Sequence, residues 1–135
     1  LRDSMRYRLE CAIAVSLLSV AGPPAFAEGD PASGESIFRR CSSCHAIGQD
    51  AGRLSGPTLN GLPGSSVAYD DEQQYSPALR ALRDQGVVWT TENLDAFLAS
   101  PRDFAPRNRM SFAGVRDPQD RADLIAYIAQ FAEIQ

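Results

Sequence analysis

Along the chain, apolar residues recur at helical spacing in short stretches, and no stretch alternates apolar and polar positions for long enough to make a convincing strand. Four helices are predicted. Asp30-Pro31 opens the first, because a capping carboxylate followed by proline at the first helical position serves the amides that lack partners at a helix start. That helix carries Ile37 and Phe38 and runs into Cys41. Ser76-Pro77 repeats the signal for a short helix ending near Gly86. Thr90 or Thr91 caps a third, with Leu94, Phe97 and Leu98 on one face and Pro101 as its stop. Asp117-Pro118 opens the last and clearest. There Leu124, Ile125, Ile128 and Phe131 share one side and Asp120, Arg121 and Asp123 the other, so the helix packs on the core almost to the C-terminus. The pattern predicts an all-α fold with irregular connections.

One apolar stretch stands apart from these helices. Arg2, Arg6 and Arg8 precede a charge-free run from Cys11 to Gly22, which is followed by Pro23, Pro24 and the small-residue site Ala25-Phe26-Ala27. Basic start, short apolar middle and A-x-A exit are the three parts of a secretory signal. A membrane-spanning helix needs about 20 apolar residues, more than this run supplies. Residues 1–27 are therefore expected to be a cleaved signal peptide, and 28–135 a single exported domain located in the periplasm.

A chain of 135 residues has room for one domain of ordinary size. All 13 basic residues are arginine, none is lysine, and 17 acids leave a net charge of −4. That balance argues against a protein whose main work is gripping nucleic-acid phosphates. Removing the signal takes Cys11 with it, so Cys41 and Cys44 are the only cysteines of the mature chain, His45 the only histidine and Met110 the only methionine.

Between Cys44 and Ser76 lie some thirty residues rich in Gly, Pro, Ser, Asp and Gln, with little periodicity. A loop of that length inside a compact domain is uncommon, and Leu54, Leu59 and Leu62 have no core of their own within it. Something large and apolar is expected at the centre. Cys41-Ser42-Ser43-Cys44-His45 supplies the means of holding it. In C-x-x-C-H, two thiols on one turn add to the vinyl groups of haem and the next imidazole reaches the iron. A thioredoxin-like pair would want a βαβ setting, zinc would want four ligands, and a plain disulfide would leave the loop unexplained. One covalent haem c through Cys41 and Cys44 is the reading that accounts for the loop. Counting then gives the second axial ligand. Met110 is the remaining soft donor, and it lies in the loop Pro106-Arg107-Asn108-Arg109-Met110-Ser111-Phe112, where a core-filling methionine has no regular face to fill. His45 and Met110 are the candidate metal ligands, a pair that raises the reduction potential.

With these residues in hand, the chain resembles the class I c-type cytochromes, the group of bacterial cytochrome c2 and mitochondrial cytochrome c. The likeness runs from Gly34 to about Gln130. It is carried by Gly34-x-x-x-Phe38-x-x-Cys41-x-x-Cys44-His45, Gly56-Pro57-x-Leu59-x-Gly61, Tyr75-Ser76-x-Ala78, Trp89, the methionine loop through Phe112-Ala113-Gly114, and Arg121-x-Asp123-Leu124-Ile125-Ala126-Tyr127. The resemblance implies a small fold of about four helices and long loops wrapped around one haem. It implies that the Pro57 carbonyl accepts a hydrogen bond from the His45 ring, and that Tyr75 and Trp89 donate to a haem propionate. It further implies that Gly34 and Phe38 meet Leu124 and Tyr127 where the first and last helices cross, and that Leu59, Leu94, Leu98 and Phe112 line the haem pocket. Two positions depart from the family's habit. Ser65 stands where a cation is often near the inner propionate, and Phe97 where a tyrosine hydroxyl often touches the methionine sulfur.

The family's lysine ring has no lysine here. The corresponding region keeps Arg40, Arg102, Arg109 and Arg116, with Arg53 and Arg107 near them, while acids collect at Asp70-Asp71-Glu72 and along the last helix. A dipolar molecule whose arginine face is steered onto an acidic membrane complex is expected. No nucleophile and base can be paired once the only histidine is on iron, so the chain is read as a non-enzyme. The expected function is that of a soluble, monomeric electron carrier between redox complexes: a quinol-oxidising complex or a periplasmic dehydrogenase on one side, an oxidase or reaction centre on the other. A dedicated haem subunit of one dehydrogenase, and a weakly ligated haem protein with gas-binding or peroxidase-like activity, stand as alternatives.

Overall fold

The computed structural model describes residues 28–134, so the expected signal segment lies outside the described residues. Five helices follow in order: α1 (Pro31–Phe38), α2 (Pro77–Asp84), α3 (Thr91–Ala99), α4 (Pro101–Phe104) and α5 (Pro118–Ala129). Among the described residues the sole β-type pairing is an isolated bridge between Ser66 and Val88.

Each predicted start is capped as its chemistry requires. Asp30 accepts from the amides of Ala32 at 3.1 Å and Ser33 at 3.2 Å, Ser76 from Leu79 at 3.3 Å, Thr90 from Asn93 at 3.1 Å and Asp117 from Gln119 at 2.7 Å. The Ser33 hydroxyl and these amides hold the Asp30 carboxyl below the ordinary carboxylate range. Pro101 stops α3 as expected, but it also opens α4. Ser100, extended at φ −154°, separates the two helices, and a proline at the first helical position restarts the coil.

The frame is the crossing of α1 and α5. Gly34 makes it possible: a Cβ there would lie 2.0 Å from the Asp123 carbonyl oxygen and 2.8 Å from the Tyr127 Cβ, so only hydrogen fits between the backbones. Buried Asp123 locks the crossing by accepting from the Asp30 amide and from the Gln119 side chain, both at 2.8 Å. Phe38 packs on Tyr127 with ring centroids 5.4 Å apart, and Tyr127 on Phe131 at 5.3 Å. Leu124, Ile128, Leu94 and Leu98 carry the core from α5 into α3.

The long segment after Cys44 survives without helices because it borrows partners from elsewhere, as buried backbone groups must. The Gly56 amide donates to the Cys44 carbonyl and the Leu59 amide to that of Ala46, at 2.9 and 3.0 Å. Gly61 reaches the Phe131 carbonyl beyond α5 at 3.0 Å, and Gly64 and Ser65 exchange hydrogen bonds with Trp89 at 2.9 and 2.8 Å. The loop is therefore tied to the cysteine turn, to the chain beyond α5 and to the segment before α3.

Candidate haem centre

The cysteine turn grows directly out of α1. After Phe38 the helix gives way to turns: the Cys41 and Ser42 amides both donate to the Phe38 carbonyl, at 2.7 and 3.1 Å. The Cys44 and His45 amides both donate to the Cys41 carbonyl, at 3.1 and 2.9 Å. This winding puts two thiols and an imidazole on one short arc, with no disulfide between the cysteines. The two thiols sit in different surroundings. Burial pushes the Cys41 thiol up, whereas the Ser55 and Ser43 hydroxyls pull the exposed Cys44 thiol down.

His45 is held by the segment that folds back over it. Its Nδ1 lies 2.8 Å from the Pro57 carbonyl oxygen. A carbonyl can only accept, so Nδ1 carries a proton, and Nε2 is the ring nitrogen left to meet a metal. Gly56 lies flat against the same ring: a Cβ there would stand 2.5 Å from Cε1 and 2.8 Å from Nδ1. Sequence reasoning named Pro57 and gave Gly56 only as part of a motif. The close approach of ring to backbone is what demands glycine there.

The other candidate residues come from three further segments. Tyr75 precedes the cap of α2, and its hydroxyl is buried without a hydrogen-bond partner. The Asp70 backbone amide lies close enough to offset part of the burial that raises this phenol, without reaching hydrogen-bond geometry. Trp89, buried ahead of α3, stacks on Phe104 at 5.7 Å and meets Phe97 edge-on at 5.1 Å. Leu59 is half-buried against the core. Met110 is half-buried in the loop between α4 and α5, its amide donating to Asn108 Oδ1 at 2.9 Å.

The two departures have local explanations. Phe97 completes an aromatic trio with Trp89 and Phe104, 5.6 Å from the latter, so its place carries no hydroxyl and presents a purely apolar wall. The Ser65 hydroxyl is committed to the Leu62 carbonyl at 2.6 Å. Arg53, grouped from sequence with the docking arginines, belongs elsewhere: it bridges Asp70 at 3.2 Å and Glu72 at 2.5 Å, which joins two turns of the long loop and cancels its charge. Tyr69, which no sequence signal marked, donates its hydroxyl to the Thr58 carbonyl beside Pro57, and burial pushes its phenol up to about 12.

The cytochrome c family model matches residues 31–132. The chain is 44% identical over 101 residues to cytochrome c2 of Agrobacterium tumefaciens, covering 75% of this chain and 91% of that one. It is 38% identical over 105 residues to cytochrome c2 of Rhodomicrobium vannielii, covering 78% and 82%. Cytochrome c2 from Rhodospirillum centenum superposes with a TM-score of 0.71 at 34% identity, over 76% of this chain and 98% of that one.

The residues fit a haem on their own geometry. Two unpaired thiols lead up to an imidazole whose Nδ1 is anchored to a carbonyl, and a buried phenol hydroxyl, that of Tyr75, has no hydrogen-bond partner among the described residues. The chain belongs to the cytochrome c family, as a class I, cytochrome c2-like electron-transfer haem protein carrying haem c on Cys41 and Cys44.

Proposed function

We propose that the mature domain is a periplasmic carrier that shuttles single electrons between membrane redox complexes, with His45 and Met110 as the axial ligands and no substrate chemistry of its own. When bound, the haem supplies a one-electron ferric/ferrous couple. Cys41 and Cys44 anchor its edge. The Pro57 carbonyl fixes the His45 ring in rotation and makes it a stronger donor, and Gly56 lets the backbone close over the ring. The Tyr75 hydroxyl, buried without a partner among the described residues, would donate to a propionate. The His45–Pro57 hydrogen bond is the observation that carries the reading, because it commits the chain's only histidine to the orientation that a metal ligand beside a C-x-x-C pair requires.

The test is a visible spectrum of the haem-loaded protein, oxidised, reduced, and reduced under carbon monoxide. A reduced spectrum that the gas leaves unmoved is expected of an iron closed by Met110. A prompt shift would refute the carrier reading and move the weight to gas or peroxide chemistry.

Docking follows from charge placement. Arg102, Arg107, Arg109 and Arg116 are exposed, and Arg40 sits over the Phe112 ring at 5.4 Å. With Arg53 neutralised by its two acids, these five form the face offered to an acidic partner despite the net negative charge. Stopped-flow association with such a partner is expected to slow as salt rises; a salt-independent rate would refute the steering.

A further inference from the structure

We infer that Asn108 is the positioning residue for Met110: its side chain ties the methionine's backbone to α4, and so fixes where the thioether is presented. The inference rests on Met110 being an axial ligand. It concerns what sets that ligand's hold rather than the ligand itself.

The loop after α4 turns back through Arg107, whose φ of +59° lies in the left-handed region that a side chain rarely adopts. That turn brings Asn108 inward, and one amide side chain then serves three backbone groups. Its Nδ2 donates to the Pro101 carbonyl at 2.8 Å and the Ala105 carbonyl at 3.0 Å, and its Oδ1 accepts from the Met110 amide at 2.9 Å. Pro101 is buried at the start of α4. Phe104, at the end of the same helix, is clamped between Trp89 and Phe97. A continuous line of contacts therefore runs from the aromatic trio through α4 and Asn108 to the Met110 amide.

The flanking grips are weaker by geometry. Arg109 reaches Gln74 at 3.1 Å from an exposed position, and the Arg40 guanidinium meets the Gly114 carbonyl at 3.5 Å, the long limit of a hydrogen bond. The Asn108 contacts are shorter and partly shielded from water. Removing that side chain releases the Met110 amide and takes the side-chain hydrogen bond from the Pro101 and Ala105 carbonyls, which keep only the backbone amides of Ala105 and Asn108.

The experiment uses haem-loaded protein: wild type, Asn108→Ala, Asn108→Ser, Met110→Ala, and Ile128→Val as a destabilised control in α5. Carbon monoxide association with the reduced protein and hydrogen exchange at the Met110 amide are both followed. Asn108→Ala is expected to raise the association rate and the amide exchange about tenfold, as the loss of a few neutral hydrogen bonds allows. Asn108→Ser recovers part of this, since a serine hydroxyl can still accept from the amide two residues on. The inference is overturned if Asn108→Ala reacts within twofold of wild type, or if its gain is no larger than that of Ile128→Val at the same loss of melting temperature. Equal rates for Met110→Ala and wild type would overturn the ligand reading, and this inference with it.

Discussion

Substituting Gly56 by alanine puts a methyl where the His45 ring now lies. The new Cβ would stand 2.5 Å from Cε1, 2.8 Å from Nδ1 and 3.0 Å from Nε2. Ordinary contact begins near 3.4 Å, so the ring must retreat by about 1 Å. It cannot do so freely, because Nδ1 is already tied to the Pro57 carbonyl at 2.8 Å, on the residue next to the intruding methyl. Either the segment 54–59 lifts away, straining the Gly56–Cys44 and Leu59–Ala46 hydrogen bonds, or the His45–Pro57 bond stretches. Overpacking costs about 1–3 kcal/mol and a lost hydrogen bond about 1 more. For a domain of this size the sum lowers the melting temperature by roughly 10 °C. Calorimetry of the haem-loaded variant measures that, and redox titration reads the ligand. A His45 ring that donates less strongly to a carbonyl is a poorer electron donor, so the potential should rise. A variant melting within about 2 °C of wild type with an unchanged potential would refute the account of Gly56 as the seat of the ring.

Four further outcomes follow from the same geometry. Gly34→Ala should cost more than Gly56→Ala, because its Cβ meets the Asp123 carbonyl oxygen at 2.0 Å and backbone cannot swing aside; urea unfolding that moved by less than 1 kcal/mol would contradict the close crossing. Arg121→Ala strands Asp95, now held at 2.6 Å, and frees the Val115 and Arg116 carbonyls, for a loss of about 2 kcal/mol on a denaturation curve; a neutral result would mean that solvent replaces these bonds. Tyr75→Phe should destabilise the haem-loaded protein by about 1 kcal/mol and lower its potential, since an undonated propionate is more negative; a stabilised variant would show the hydroxyl to be unpaired with haem too. Tyr69 holds its proton to about 12 when folded, above the ordinary phenol value, so its contribution to stability is whole below pH 10 and lost as pH rises toward 12. Alkaline unfolding of Tyr69→Phe should lack that loss, and identical pH profiles would refute the assignment.

Much of the architecture was legible because it is written in local chemistry. Asp30-Pro31, Ser76-Pro77 and Asp117-Pro118 are start signals that need no tertiary knowledge, and the observed caps are those residues. α4 was not legible: four residues are too few to show a period, and Pro101 reads as a stop unless Ser100 is known to be extended. The Ser66–Val88 bridge pairs single residues from distant loops, for which no pattern exists. At the site, Cys41, Cys44 and His45 stand out by rarity and order, and resemblance added Pro57. The fit of Gly56 to the ring, the commitment of Arg53 to Asp70 and Glu72, and the three-way grip of Asn108 depend on segments that meet only in space.

The tie between Asp30 and Asp123 spans 93 positions. Closing a loop of that length costs about 4 kcal/mol of chain entropy, and nothing repays it until α5 has been made. A chain interrupted anywhere before Asp123 deprives Gly34 and Phe38 of the α5 surface on which they pack. The crossing therefore works as a test of completeness: truncated copies stay open to proteolysis, and only the finished chain earns protection.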